Sequence, residues 1–261
     1  MSKTSSSAAA QFIVGCEAPS TARGFHEQDK SGPMYPSVAA KWRSFNEPLE
    51  GLVHFMYQDV TGLITIGMGN LIDPIGYAVI LPFKKRTKPG VANPGTFASR
   101  AEIEAEWRLI KSKPELAQKR WQACDRLCTL ELDDSSIDSL IRRKLSEHEA
   151  LLKRQQSFSK FDSWPADAQM GLLSMAWAMG PGFTKGWPKF SRACAALDFD
   201  DAASNCRMSE IGNSGVIPRN NANQKLFKNA AAVLAGAADG FYSPALLYYP
   251  AIITKPIAIE G

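Results

Sequence analysis

Glu50-Gly51-Leu52-Val53-His54-Phe55-Met56-Tyr57-Gln58-Asp59-Val60-Thr61-Gly62-Leu63-Ile64-Thr65-Ile66-Gly67-Met68-Gly69 is the stretch on which the fold turns. Two runs, His54 to Asp59 and Leu63 to Gly67, flank Val60-Thr61-Gly62, where Gly62 supplies the positive φ that a tight turn needs. The reading is a β-hairpin. Just upstream the period is different: Val38, Trp42 and Phe45 recur at three to four residues, as one face of a helix does. Ordered structure is expected to begin near Ser37. Pro48 then interrupts, which predicts either a kink or a fresh helix start capped by Asn46.

The same stretch carries two carboxylates in contrasting surroundings. Glu50, beside Leu49, Leu52 and Val53 near a helix end, sits where apolar neighbours raise the pKa of a carboxyl and keep it protonated. Asp59 falls at the end of the first strand, a more open place where a carboxylate stays ionised. Thr65, on the return strand, offers a hydroxyl that can position water. Such a pair suits a division of labour between acid and base. A Glu, an Asp and a Thr this close together are common in any chain, and a merely solvated helix-end Glu and turn Asp is the plain alternative. Glu47, three residues before Glu50, is a competing carboxylate.

Working outward, residues 1–35 mix Ser, Ala, Gly and Pro without a sustained period and read as an extension or arm. Within it, Ile13-Val14-Gly15-Cys16 looks like a lipoprotein cleavage box, but its apolar run is short and broken by Gln11, so a leaderless chain made in the cytoplasm is expected. Residues 73–98, with Pro74, Pro82, Pro89 and Pro94 and the basic run Lys84, Lys85, Arg86 and Lys88, spell a loop insertion, either a lid or a solvated excursion. Helices follow. Ser99-x-x-Glu102 is a capping box ahead of Ile103, Trp107 and Ile110. Ile137 to Leu152 gives a second helix, and a third starts at Pro165 and stops at Gly180-Pro181-Gly182. Phe190–Leu197, Asp200–Met208 and Asn223–Leu234 complete the series. The predicted class is α+β and predominantly helical: a small hairpin lobe (about 50–72) and a larger helical lobe (99–240) with a groove between them, together one domain over 36–240, then a C-terminal tail at 241–261.

Composition excludes several classes. With 261 residues and 45% hydrophobic content the chain can bury a real core, so disorder and coiled coil fail as whole-chain readings. A formal charge of +4 favours encounter with an anionic polymer. No ladder of basic and aromatic residues of the kind that stacks bases is present, so no nucleic-acid partner is expected. No apolar run approaches the roughly 18 residues that span a bilayer, so no stable membrane insertion is expected either. Cys16, Cys124, Cys128, Cys194 and Cys206 show no zinc-ligand spacing with His26, His54 and His148; the expectation is idle or buried thiols, no metal and no cofactor, with Cys124 and Cys128 sharing one helical face.

The order of residues is more specific than the composition. An EG pair at Glu50-Gly51, an Asp eight residues after the glycine at Asp59, a Thr after five intervening residues at Thr65, and Ile66-Gly67-Met68-Gly69 resemble the signature of the T-even phage lysozyme family with every interval kept. Trp177-Ala178-Met179-Gly180, Gly182-Phe183-Thr184 and Phe199-Asp200-Asp201-Ala202-Ala203 look like that family's middle and late helices, and the resemblance spans roughly residues 38 to 230. It implies a lysozyme-like fold and an inverting muramidase acting on peptidoglycan glycan strands, with Glu50 as general acid, Asp59 as partner carboxylate and Thr65 positioning the water. It further implies glycan contacts at Leu71, Trp177 and Asn205, and an arginine near the acid, carried here by Ile217-Pro218-Arg219-Asn220. Trp177 equally suits a core position. Asn70 stands where many members have histidine, so an ion pair at that point is absent or replaced. The arm and the insertion resemble a bacteriocin or secreted antibacterial effector more than a compact phage lysis enzyme, with peptidoglycan in the periplasm as its place of action and an immunity protein as a partner blocking the groove. The alternatives carried beside this are the same fold acting on chitin or chitosan, a glycan-binding module without hydrolysis, and a helical interaction protein.

Overall fold

The computed structural model describes residues 34–237 and 239–254. The arm expected over residues 1–35, with Cys16 and the Ile13 to Cys16 box, lies outside them except for Met34 and Tyr35. The described chain is α+β and mostly helical, with a small antiparallel sheet. Helix α1 (Pro36–Glu50) leads into strands β1 (Val53–Gln58), β2 (Ile64–Gly67) and β3 (Asn70–Leu71), which form one antiparallel sheet in the order β1-β2-β3. A second, two-stranded sheet pairs β4 (Lys84–Lys85) with β5 (Leu130–Glu131), and between them in sequence lie α2 (Arg100–Lys111) and the short α3 (Gln122–Asp125). Helices α4 (Asp134–Lys153), α5 (Ala166–Met179), α6 (Pro188–Ala195), α7 (Phe199–Asn205) and α8 (Ile217–Ala237) follow.

The first junction differs from both readings of Pro48. Helix α1 runs unbroken through it and ends at Glu50, where Gly51 turns the chain with φ 76°. Proline costs a helix its N–H bond, but in the last turn the loss is confined to one carbonyl. Asn46 is therefore no cap; it is wholly buried. The hairpin forms as expected, with Tyr57 opposite Thr65, Gln58 opposite Ile64, and Gly62 at φ 80° in the turn. Its tip is clamped by α2: Lys111 Nζ donates to the Gly62 carbonyl at 2.8 Å and to Asp73 at 2.6 Å, and Trp107 Nε1 donates to the Ile72 carbonyl at 3.0 Å.

The insertion at 73–98 is neither lid nor free excursion. Ala78, Leu81 and Phe83 are buried in the core, and the basic run is consumed in structure: Lys84 pairs with Asp133 at 2.8 Å, Lys85 with Glu102 at 2.8 Å, Arg86 with Asp125 at 2.9 Å, and Lys88 donates to the Asp125 carbonyl at 2.6 Å. Ser99 and Glu102 make the expected reciprocal capping box. Cys124 and Cys128 are buried free thiols, as are Cys194 and Cys206, but α3 ends at Asp125, so the first two do not share a helix. Pro165 occupies the position before α5 rather than its first turn.

Helix α5 is the axle. Every residue from Ala166 to Trp177 is buried, so the helix is enclosed on all sides, largely by apolar contacts, and α1, α4 and α8 pack around it. Hairpin residues such as Phe55, Met56, Ile64 and Met68 share one hydrophobic cluster with these helices. The tail expected from 241 is pinned as far as it is described: buried Asp167 accepts from the backbone N–H groups of Tyr248 at 2.8 Å and Tyr249 at 3.1 Å and from Asn229 at 2.9 Å. Close approach of α5 and α8 is set at Gly171, where an added Cβ would lie 2.9 Å from Phe227 Cζ. Gly171→Ala is expected to destabilise the fold by about 1–3 kcal/mol through overpacking, with partial recovery in Gly171→Ala/Phe227→Leu; equilibrium denaturation of the two variants checks this.

Candidate active site

Glu50 closes α1 with its side chain turned inward, 27% exposed, against Arg219 of α8, whose side chain is 4% exposed. The guanidinium bridges two helices: Nη2 donates to Glu50 Oε1, while Nη1 donates to Ser174 Oγ at 3.0 Å and to the Ser174 carbonyl at 3.3 Å on α5. Arg219 is thus a buried first-turn residue of α8 rather than a solvated charge ahead of it. Burial lifts the Glu50 carboxyl above the usual carboxylate range, against the opposing pull of Arg219 and of Lys144. It also pulls the Arg219 guanidinium down against Glu50, yet an arginine stays cationic at any working pH. The result is a carboxyl with enhanced proton affinity that also has a ready stabiliser for its charged form.

The opposite side of this place is built by the hairpin. Tyr57 and Thr65 are direct cross-strand partners, so their side chains share one face of the sheet. The Tyr57 phenol is pushed up to about 12 by burial and then by the nearby charges of Glu50 and Asp59, so one side chain lies within electrostatic reach of both carboxylates. Asp59 lies just past β1 and is partly exposed. Its Oδ1 accepts from Thr61 N at 2.8 Å, Thr61 Oγ1 at 2.7 Å and Leu63 N at 3.0 Å, which organises the turn. All three bonds fall on one oxygen, so Oδ2 is not spent on the turn. Thr65 is buried, and its hydroxyl donates only a long 3.4 Å bond to the Leu63 carbonyl.

Asn70 makes neutral bonds. Its Oδ1 accepts from Met68 N at 3.2 Å and its Nδ2 donates to the Leu140 carbonyl at 3.3 Å, tying the hairpin to α4. Glu47, the competing carboxylate, pairs instead with Arg43 at 3.6 Å.

The remaining expected contacts separate. Leu71 lies on β3, 49% exposed and open to a ligand. Trp177 is 5% exposed; its N–H donates to the Met68 carbonyl at 3.1 Å and its ring packs 5.3 Å from Trp42, so it supports the Met68-Gly69 turn instead of presenting a face to glycan. Asn205 ends α7 with its amide donating to the Asp201 carbonyl and Oδ1, both at 2.8 Å, which commits it to its own helix. A concavity beside α3, lined by Lys113, Lys119 and Arg126 among others, includes none of these residues. Three contributors were given no role on sequence grounds: Tyr57, Ser174 and Lys144. Only Tyr57 carried a usable signal, its place two residues before Asp59 and on the inward face of β1.

Among the described residues no group of His, Cys, Asp and Glu side chains is arranged to hold a metal, and no helix is long and apolar enough to cross a membrane. No protein-family model matches the chain, and no curated protein sequence matches it.

Glu50→Ala strands a buried guanidinium and is expected to cost about 2 kcal/mol of stability, whereas Glu50→Gln keeps an acceptor for Arg219 and should cost less than half of that. Urea denaturation at neutral pH distinguishes the two.

Proposed function

We propose that this chain is a peptidoglycan hydrolase of lysozyme-like fold, a muramidase that cleaves the β-1,4 bond between N-acetylmuramic acid and N-acetylglucosamine. The observation that carries the reading is the environment of Glu50: a half-buried carboxyl with raised proton affinity, paired with a buried arginine, opposite a hairpin that holds Asp59 and Thr65. The intact Glu50 to Gly69 spacing, with its resemblance to the T-even phage lysozymes, supplies the substrate class.

In this reading protonated Glu50 donates to the leaving glycosidic oxygen as the bond to the anomeric carbon breaks, and Arg219 stabilises the carboxylate that remains. Asp59 Oδ2 takes a proton from the attacking water, and the Thr65 hydroxyl oxygen accepts a hydrogen bond that aims it. Tyr57, held neutral, stands within electrostatic reach of both carboxylates. Inversion requires room for that water, with the carboxyl groups roughly 6.5–9.5 Å apart. Leu71 offers an apolar contact to the glycan. The setting we favour is an antibacterial effector or bacteriocin, acting on peptidoglycan in the periplasm, with an immunity protein covering the Glu50 site as its partner; phage lysis is the alternative setting.

Because the acid works only while protonated, kcat/KM should fall as pH rises through the Glu50 midpoint, and burial places that fall above the usual carboxylate range. Glu50→Gln should lose at least about a hundredfold in release of dye from labelled Gram-negative sacculi. A Glu50→Gln protein as active as the wild type would sink the reading. An inactive wild type that still binds sacculi, unaffected by the substitution, would favour the non-hydrolytic glycan-binding module.

A further inference from the structure

Arg219 is not the only cation beside Glu50. Lys144 of α4 donates from Nζ to the Gly69 carbonyl at 2.9 Å and lies 4.0 Å from the centroid of the Trp177 ring. Gly69 is where it meets the acid: a Cβ built there would stand 3.8 Å from Glu50 Oε2 and 4.0 Å from Lys144 Nζ, so carboxyl and ammonium flank a single glycine. One carboxyl is therefore attended by two cations, of which Arg219 engages Oε1 directly and Lys144 acts on it through the shared neighbourhood of Gly69.

A mere tether for the turn would not need this charge. Trp177 already fixes the neighbouring carbonyl of Met68 with a neutral N–H. The ammonium is kept at a cost: burial, aided by Arg219 and opposed by Glu50 and Glu147, draws Lys144 down to about 8. The groups that face it are Glu50 from α1, Arg219 from α8, Glu147 and His148 from its own helix, the Trp177 ring from α5 and the Gly69 carbonyl from the hairpin.

We propose that Lys144 is a positioning residue acting through Glu50: its ammonium, fixed between the Gly69 carbonyl and the Trp177 ring, stabilises the carboxylate left when Glu50 gives up its proton. This rests on the reading of Glu50 as the proton donor. The proton passes from Glu50 to the leaving oxygen, and Lys144 neither gains nor loses one. Burial makes Glu50 hold its proton; Lys144 makes it able to release it. Above about pH 8, where Lys144 itself deprotonates, that help is withdrawn.

The test uses the full chain with carbon-13-labelled glutamate, following the Glu50 carboxyl by NMR across pH in wild type, Lys144→Gln and Lys144→Arg. Lys144→Gln keeps a donor for Gly69 but no charge. It should raise the Glu50 midpoint by about half a pH unit or more and lower kcat about threefold with KM little changed, while Lys144→Arg stays within about 0.2 of wild type. An unmoved Glu50 midpoint in folded Lys144→Gln overturns the proposal. Should that variant not fold, the coupling is read in reverse, since it must be reciprocal: in Glu50→Gln the Lys144 midpoint should fall by a similar amount, and an unmoved Lys144 overturns the proposal equally. These titrations need no substrate. Coupled titrations in a chain that cleaves no glycan would count against the reaction, whereas glycan cleavage with uncoupled titrations would count against Lys144 alone.

Discussion

The contact on which the site depends is the guanidinium of Arg219, which joins three helices through one planar group. It takes Glu50 at the end of α1, Ser174 in the middle of α5, and its own place in the first turn of α8. A buried arginine without an acceptor is costly, so the pairing fixes where α1 must stop relative to α8. Gly51, at positive φ, then lets the chain leave the helix sharply and begin β1 two residues later. The carboxyl is therefore set by helix packing rather than by a loop.

The hairpin is held against that point by bonds to its backbone. Lys111 and Trp107 grip its tip and its exit from α2; Asn70 and Lys144 tie the β2-β3 turn to α4; Trp177 ties the same turn to α5. Four side chains from three helices, with Asn70 of the hairpin itself, thus immobilise the segment that carries Asp59 and Thr65. A site that separates acid from water needs this rigidity, because misplacement by an ångström costs orders of magnitude in rate.

Legibility followed the range of the forces. The hairpin, its glycine turn and the Ser99 capping box were readable because each is decided within a few residues. Pro48 misled because a local rule against proline yields to a helix end that Arg219 holds. The insertion at 73–98 looked solvated because four basic residues are polar in sequence; their partners Glu102, Asp125 and Asp133 lie far along the chain and become visible only when β4 meets β5. Trp177 shows the same limit: helical spacing marks it as inward-facing, but only the fold reveals that its N–H is spent on Met68. Lys144 and Ser174 had no sequence signal at all, since a lysine on α4 and a serine on α5 acquire meaning only once the fold brings Gly69 to the one and Arg219 to the other.

The most direct measurement of the central claim is the chemistry of the new ends. Purified Gram-negative sacculi would be digested with the wild-type chain, the soluble fragments reduced with borohydride, and the products identified by mass spectrometry. The account predicts fragments ending in reduced N-acetylmuramic acid, which is what hydrolysis on the reducing side of that sugar leaves. Fragments ending in reduced N-acetylglucosamine, anhydro ends that borohydride cannot reduce, or no soluble fragments at all would contradict it.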